Sequence, residues 1–208
     1  MDLALALSAF ATLFVVIDPI GLAPMFVAMT QGMDAHRRRG VALRACAIAV
    51  VLLTLFGLFG TALLDAIGVS LDAFRIAGGL LLFLIAVEML FGRRTERREK
   101  QQGDEDHDPS VFPLATPLIA GPGSMATMIL LTTTKGEDWL GVLEIHLVMV
   151  AVITIVLVLF FLAGMIERAL GRTGILVVTR LLGMLLGALS VQFVLDGLRG
   201  AGVIAPLT

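Results

Sequence analysis

The chain has 208 residues, of which 58% are hydrophobic and 15% are charged; its mean hydropathy is +1.00 and its formal net charge is −2. A soluble domain of this length cannot bury so much apolar surface in one core, so part of that surface must face lipid. The composition therefore excludes a soluble globular protein.

Six apolar stretches are long enough to cross a bilayer core of about 30 Å, which takes about 20 residues of helix. The first stretch has no Lys or Arg before Arg37 and is too long for a cleaved signal peptide, so we expect it to stay in the mature protein. The six predicted spans cover residues 3–31, 45–64, 73–92, 109–134, 147–166 and 174–198.

The first span is interrupted by the sequence DPIGLAP at residues 18–24. Each proline lacks a backbone N–H and pushes the preceding residue out of the α conformation, so we expect about one helical turn to open here. An opened turn in hydrocarbon must be buried in protein or line a wet cavity. Asp18 places a carboxylate inside this span. That is typical of a functional residue, but Asp18 also suits the N-cap of a half-helix that begins at Pro19.

A hydrophilic stretch at residues 93–110 follows the third span; it is basic beside the membrane and acidic further on. Such a sequence is typical of a solvated linker whose basic end lies near anionic headgroups. It divides the chain into a first three-helix repeat at residues 1–92 and a second three-helix repeat at residues 111–208.

The fourth span carries a matching interruption, TPLIAGPGS, at residues 116–124. A shift of 98 positions superposes the two prolines of the first interruption on two of its prolines, and it matches Thr116 to Asp18, with the same choice between a cap and a substrate contact. The small residues before Met125 would open a fresh helix whose free N–H groups and dipole attract an anion. A zwitterion would place its carboxylate there and its ammonium group at Asp18 or at freed carbonyl groups.

The third span aligns with the sixth at a shift of 105 positions, which matches Arg75 with Arg180 and Gly78 with Gly183. With three spans in each half, the two halves have opposite orientations in the bilayer. We therefore predict an all-α membrane protein built as a 3+3 inverted repeat, with its first and fourth helices discontinuous. The GxxxG pattern from Gly183 to Gly187 predicts close helix packing, either within the subunit or in a homo-oligomer.

Twelve of the fifteen Lys and Arg residues fall in or beside the loops after the first, third and fifth spans. Basic loops stay in the cytoplasm, so we expect both termini to lie on the periplasmic side of a bacterial inner membrane. Because the basic residues lie along the membrane and form no separate face, nucleic acid is not an expected partner.

Other polar residues in the spans are weaker candidates. Gln192 in the sixth span is a possible substrate contact, although most such groups bond to a neighbouring helix. Whether Glu88 or Asp196 relays protons stays open. The sequence contains no HExxH, GxSxG or Walker motif, so we predict no enzyme activity, no catalytic residue, no cofactor and no metal site.

The segments at residues 18–26 and 117–124 resemble those of the MarC family of bacterial inner-membrane proteins, and the similarity extends over the six spans and the central linker. The resemblance implies a place in the broad LysE-like transporter group. It also implies transport of small neutral amino acids such as glycine and alanine, as described for some members.

The leading hypothesis is a secondary transporter of small neutral amino acids of the glycine, alanine and serine type, which works by alternating access at a site between the two interruptions. The alternatives are an ion or metal carrier that uses Asp18, and a non-transporting membrane scaffold. The candidate substrate-binding residues are Asp18, Pro19, Gly21, Pro24, Thr116, Pro117, Gly121, Pro122, Gly123, Ser124 and Gln192.

Overall fold

The computed structural model describes residues 3–92, 108–134 and 138–204, so most of the linker predicted at residues 93–110 lies outside the described residues. Every regular element in the described part is helical, which confirms the all-α prediction. In chain order the elements are α1 (Leu3–Ile17), α2 (Pro19–Met29), α3 (Ala35–Ala66), α4 (Leu71–Leu90), α5 (Ser110–Ile119), α6 (Pro122–Thr133) and α7 (Trp139–Gly200).

Five helical stretches of the described chain are long and apolar enough to cross a membrane. The successive helices α5 and α6 are bent by 54° and form a sixth span if they are counted together, in agreement with the prediction of six. The five stretches are Ala4–Met29, Ala35–Ala66, Leu71–Leu90, Trp139–Ile166 and Thr173–Gly200.

The last two spans are the two arms of α7, which we call its first arm (Trp139–Ile166) and its second arm (Thr173–Gly200). They are joined at Gly171, whose φ of 62° and ψ of 174° interrupt the helix. This conformation is essentially restricted to glycine because a Cβ would clash with the backbone.

Helix ends follow local capping chemistry. The Asp34 carboxylate accepts a hydrogen bond from the Arg37 N–H (2.8 Å) at the start of α3, and the Ser70 hydroxyl accepts one from the Ala73 N–H (3.2 Å) at the start of α4. Beyond the end of α3, Gly68 takes a positive φ of 74°, as glycine commonly does at that position.

The third and sixth spans pack closely and run in opposite directions. A Cβ added to Gly197 would lie 2.8 Å from the Asp72 carbonyl oxygen, and one added to Gly183 would lie 2.8 Å from the Met89 Cβ. The end of α7, at Gly197, thus lies against the start of α4, and Gly183, earlier in α7, lies against the end of α4. This antiparallel pairing is the orientation that the inverted repeat requires, while the exact repeat boundaries stay a prediction.

The GxxxG pattern of the sixth span packs within the chain. Gly183 and Gly187 both lie against Ala86 of α4, at 3.2 Å from its carbonyl oxygen and 3.8 Å from its Cβ respectively, measured from an added Cβ. Small residues allow this close backbone approach. The motif therefore does not by itself argue for a homo-oligomer, which stays a prediction.

The first span lies in the interior of the molecule. In its most apolar part 56% of the residues are buried, against 22% to 33% in the other four long spans. A span that contains a helix break needs such shielding, because its free backbone groups cannot face hydrocarbon. Large apolar side chains on the other spans point outward, including Phe59, Leu84 and Leu147, as expected of a lipid-facing surface.

The end of the linker is fixed to α3 by an ion pair between the Arg44 guanidinium and the Asp108 carboxylate (3.0 Å). The same carboxylate accepts hydrogen bonds from the Ser110 N–H (3.0 Å) and hydroxyl (2.7 Å). These hydrogen bonds, and then the Arg44 charge, hold the pKa of Asp108 below its ordinary value. Asp108 thereby fixes the point at which the fourth span begins.

Candidate substrate-binding site

The first break is one residue wide. Asp18 alone leaves the helical region, with φ 57° and ψ 64°. Its N–H still donates to the Phe14 carbonyl (2.9 Å), and its carbonyl still accepts from the Leu22 N–H (3.0 Å). The expected loss of about one turn is therefore wrong for this segment: Pro24, which was expected to widen the opening, lies inside α2.

Asp18 is the N-cap of α2. Its Oδ1 accepts a hydrogen bond from the Gly21 N–H at 3.1 Å, and the residue is 1% exposed. A Cβ added to Gly21 would overlap the Asp18 carboxylate, so only glycine leaves room for this cap. Pro19, which is also buried, takes the first helical position, where the missing N–H costs nothing. The structure thus gives Asp18 the capping role that the sequence left open, and its contact with a substrate stays a prediction.

A left-handed aspartate in the middle of a span is unusual. Outside glycine this conformation costs on the order of 1–3 kcal/mol and persists only where the surroundings enforce it. Here the cap and the buried neighbours enforce it. Strain of this kind concentrates at functional sites, which is a reason to keep Asp18 as a candidate.

The second break is wider. Within α5, Phe112 and Thr116 have extended backbone conformations, and the peptide bonds that join them to Pro113 and Pro117 are cis. The Ala120 N–H donates to a carbonyl five residues earlier in the chain (2.8 Å), as in a π-type turn. The irregular backbone thus runs from Phe112 to the start of α6.

The half-helix α6 begins at Pro122 and has Gly121 as its N-cap, so no side chain caps it. A Cβ at Gly121 would overlap the Pro117 carbonyl oxygen. Ser124 is buried, and its hydroxyl donates to the carbonyls of Ile119 (2.7 Å) and Gly121 (3.0 Å). Ser124 therefore satisfies the Ile119 carbonyl beside the break, while the Gly121 carbonyl also accepts the Met125 N–H (2.9 Å).

Thr116, which the alignment matches to Asp18, does not cap α6; the expected equivalence of the two cap positions is wrong. The residue is half-buried, and its hydroxyl oxygen is buried without a hydrogen-bond partner among the described residues. Leaving a buried hydroxyl unsatisfied costs about 1–3 kcal/mol, so such a group calls for an explanation.

The two breaks lie together in the interior, as predicted. A Cβ added to Gly123, in the first turn of α6, would lie 3.4 Å from the Val16 side chain, two residues before Asp18. Residues beside the breaks also belong to one buried apolar cluster. From the first break these are Ile17, Leu22 and Ala23, and from the second they are Leu118, Ile119 and Ala120.

Gln192, the remaining candidate, makes a local contact, and its role at the site stays a prediction. It is exposed on the second arm of α7, where its amide donates to the Asp196 carboxylate (2.9 Å). Asp196 in turn pairs with Arg199 (2.8 Å). This local network accounts for both polar side chains without the breaks.

A cavity of about 470 Å³ opens away from the breaks, at the start of α3. From the sequence, Arg38 and Arg39 are recognised only as part of a basic loop. The cavity arises where α2, α3 and the first arm of α7 converge, so no local pattern signals it. Its lining residues are Phe26, Ala35, Arg38, Arg39, Phe160 and Phe161.

Comparison with known proteins places this architecture in a family. The profile described as "MarC family integral membrane protein" matches residues 3–202. The UPF0056 membrane protein MJ1677 of Methanocaldococcus jannaschii is 37% identical over 207 residues, 97% of this chain and 99% of that protein. UPF0056 membrane protein YvbG of Bacillus subtilis is 32% identical over 197 residues, 92% of each chain. No solved structure matches.

These relatives come from both archaea and bacteria, so the family is not restricted to cells with an inner and an outer membrane. Their similarity runs through both breaks and all the spans described above. The chain belongs to the MarC family of integral membrane proteins.

Proposed function

We propose that this protein is a secondary transporter that moves small neutral amino acids across the plasma membrane by alternating access. One observation carries the proposal: the first and fourth spans are each broken, and the two breaks lie in contact in the interior. Paired broken helices at corresponding places in two halves are the arrangement that membrane carriers use to hold solutes.

The chemistry of the two breaks suits a zwitterion. The start of α6 has no side-chain cap, so its first N–H groups and the helix dipole favour a carboxylate. The first break supplies the Asp18 carboxylate, whose negative charge favours an ammonium group. The Thr116 hydroxyl, which has no partner among the described residues, adds a polar contact on the side of the second break.

A small substrate fits this site best. A Cβ added to Gly123 would lie 2.7 Å from the Ile85 side chain, and a Cβ added to Gly121 would overlap the Pro117 carbonyl oxygen. Little space is therefore left beside the backbone of the second break. Because the breaks are packed this tightly, substrate entry needs motion of one repeat against the other, which alternating access provides.

Counterflow in proteoliposomes tests the proposal, with an amino-acid panel and with or without proton and sodium gradients. We expect exchange of glycine, alanine or serine. Asp18→Asn should reduce the exchange at least about tenfold by removing a charge that pairs with the ammonium group, while Asn still caps the helix. Asp34→Asn, at the exposed cap of α3, is the matched control and should leave exchange unchanged.

Two results would overturn the proposal. Flux that depends on cations but ignores amino acids would favour an ion carrier. No flux with any solute, from protein that keeps its wild-type thermal unfolding profile, would favour a non-transporting scaffold.

The orientation, with both termini on the outside, is part of the proposal. It is tested by labelling single cysteines placed at Ala201 and at Gly40 in a Cys46→Ser background, with a reagent that does not cross membranes. Labelling of intact cells at position 201 but not at position 40 is expected, and the reverse pattern would invert the topology.

A further inference from the structure

The cavity at the start of α3 is lined by two arginines that have no acidic partner among the described residues. Arg38 and Arg39 line it, and the Arg38 guanidinium carbon lies 5.1 Å from the centre of the Phe26 ring. Among the described residues no carboxylate lies within ion-pair distance of either arginine. The cavity therefore contains two positive charges without a counter-charge from the described chain.

Two neighbouring charged groups are engaged elsewhere. Arg44, on the same helix, pairs with Asp108 at 3.0 Å. The Asp34 carboxylate, although close in sequence, accepts the Arg37 N–H at 2.8 Å and caps α3. Among the described arginines, Arg38 and Arg39 are the two that line the cavity and have no carboxylate partner.

The rest of the cavity wall is aromatic. Phe26 and Phe160 are fully buried and stack with their ring centres 4.4 Å apart and their planes 5° apart. Phe161, the next residue on α7, is 49% exposed and extends the apolar wall to the outer surface of the span. A ligand that complements this cavity has an anionic group for the two arginines and an apolar part for the phenyl rings.

We propose that this cavity binds the phosphate headgroup of an anionic membrane lipid, with Arg38 and Arg39 on the phosphate and the proximal acyl chain along Phe161. Guanidinium groups bind phosphate oxygens through paired hydrogen bonds, and basic residues beside a membrane attract anionic lipids. A water-soluble anion would satisfy the arginines but would leave the exposed phenyl wall unused. The inference does not depend on the transport proposal.

Lipid binding to the purified full-length protein tests the inference, by native mass spectrometry and by thermal unfolding in nanodiscs of phosphatidylglycerol or of phosphatidylcholine. We expect wild type to retain phosphatidylglycerol selectively and to unfold at a higher temperature in it. Arg38→Gln with Arg39→Gln should weaken binding at least about tenfold, because each lost charged hydrogen bond is worth about one decade or more.

Arg37→Gln is the matched control, since Arg37 belongs to the same basic cluster, is exposed and does not line the cavity. It should keep the wild-type selectivity. Phe161→Ala, a change at an exposed position, should weaken lipid retention without loss of folded protein. It keeps the inference testable if the double variant fails to fold.

Three outcomes would overturn the inference. If wild type shows no preference for phosphatidylglycerol over phosphatidylcholine, the cavity is not a site for anionic lipid. Equal loss in Arg37→Gln and in the double variant would show a diffuse charge effect. If inorganic phosphate raises the unfolding temperature in phosphatidylcholine nanodiscs as much as phosphatidylglycerol does, and Phe161→Ala does not change this effect, the cavity binds a free anion and not a lipid.

Discussion

The two helix breaks begin their second halves at different prolines. A shift of 98 positions superposes Pro19 on Pro117 and Pro24 on Pro122. Yet α2 begins at the first proline of its pair and encloses the second, whereas α6 begins at the second and leaves the first in irregular backbone. Matching proline patterns therefore do not produce matching breaks.

The capping residue decides where each half-helix starts. In the first half Asp18 reaches the Gly21 N–H, and Gly21 has no Cβ to obstruct it. The position that matches Gly21 in the second half is Ile119, whose side chain would occupy that space. Thr116 therefore has no open N–H to accept from, and the helix starts later, at Pro122, where Gly121 permits a tight approach to the preceding carbonyl.

The largest expected effect comes from filling the space beneath the Asp18 cap. Gly21→Ala should displace the carboxylate and cost about 2–4 kcal/mol, the sum of a lost cap and local overpacking. The measurement is thermal unfolding in detergent. Gly40→Ala is the matched control, because a Cβ there meets no atom within 4 Å and should be neutral or stabilising. Equal behaviour of the two variants would refute the explanation of the first break.

Ser124→Ala tests how the second break is stabilised. Removal of its hydroxyl leaves the Ile119 and Gly121 carbonyls without that donor, which should cost about 1–3 kcal/mol in unfolding free energy. Thr154→Ala is a suitable control, because its hydroxyl bonds back to Val150 on an exposed face. A loss no larger than that of the control would contradict the role given to Ser124.

Thr116→Val separates folding from binding at the position matched to Asp18. Because the hydroxyl has no partner in the described chain, the change should be neutral or stabilise by up to about 1 kcal/mol. Thr132→Val removes a hydroxyl that donates to the Met128 carbonyl (2.9 Å) and should destabilise instead. If Thr116 contacts substrate, its variant loses exchange in proteoliposomes while its unfolding temperature is maintained.

The smallest effect concerns acid stability at the entry to the fourth span. Hydrogen bonds from Ser110 and the Arg44 charge lower the pKa of Asp108 in the folded state. A carboxyl with a depressed pKa stabilises the fold above its unfolded pKa, about 3.9, and this contribution disappears as the pH falls through the folded pKa. Because the group is well exposed, we expect less than about 1 kcal/mol.

Asp108→Asn checks this by comparison of unfolding temperatures at pH 7 and at about pH 3. The variant should be less stable than wild type at neutral pH, and the difference should shrink as the pH falls below about 3.9. A difference that does not shrink in acid would mean that the carboxylate charge is not the cause.

The sequence predicts the spans and the two broken helices because these depend on hydropathy and on the missing proline N–H. It also predicts the antiparallel third and sixth spans, because three spans per half reverse the orientation. It overestimates the width of the first break, because the Asp18 cap on the Gly21 N–H lets α2 begin at Pro19 and continue through Pro24. Polarity alone indicates Gln192, and the structure gives it a local partner four residues later on the same helix, Asp196.

The cavity beside Arg38 could not be predicted from the sequence, for a different reason. Phe26 and Phe160 are 134 positions apart, and only the convergence of α2 with α7 stacks them. Apolar residues in a membrane chain are too common for any one pair to stand out.

The joint at Gly171 has a mechanical consequence. Six residues connect the two arms of α7, and among them only Gly171 leaves the helical conformation, so the connection is too short to let the arms separate at this end. A change of angle between the fifth and sixth spans is therefore expected to take place at Gly171, and a displacement of the sixth is transmitted to α4 through its glycine contacts.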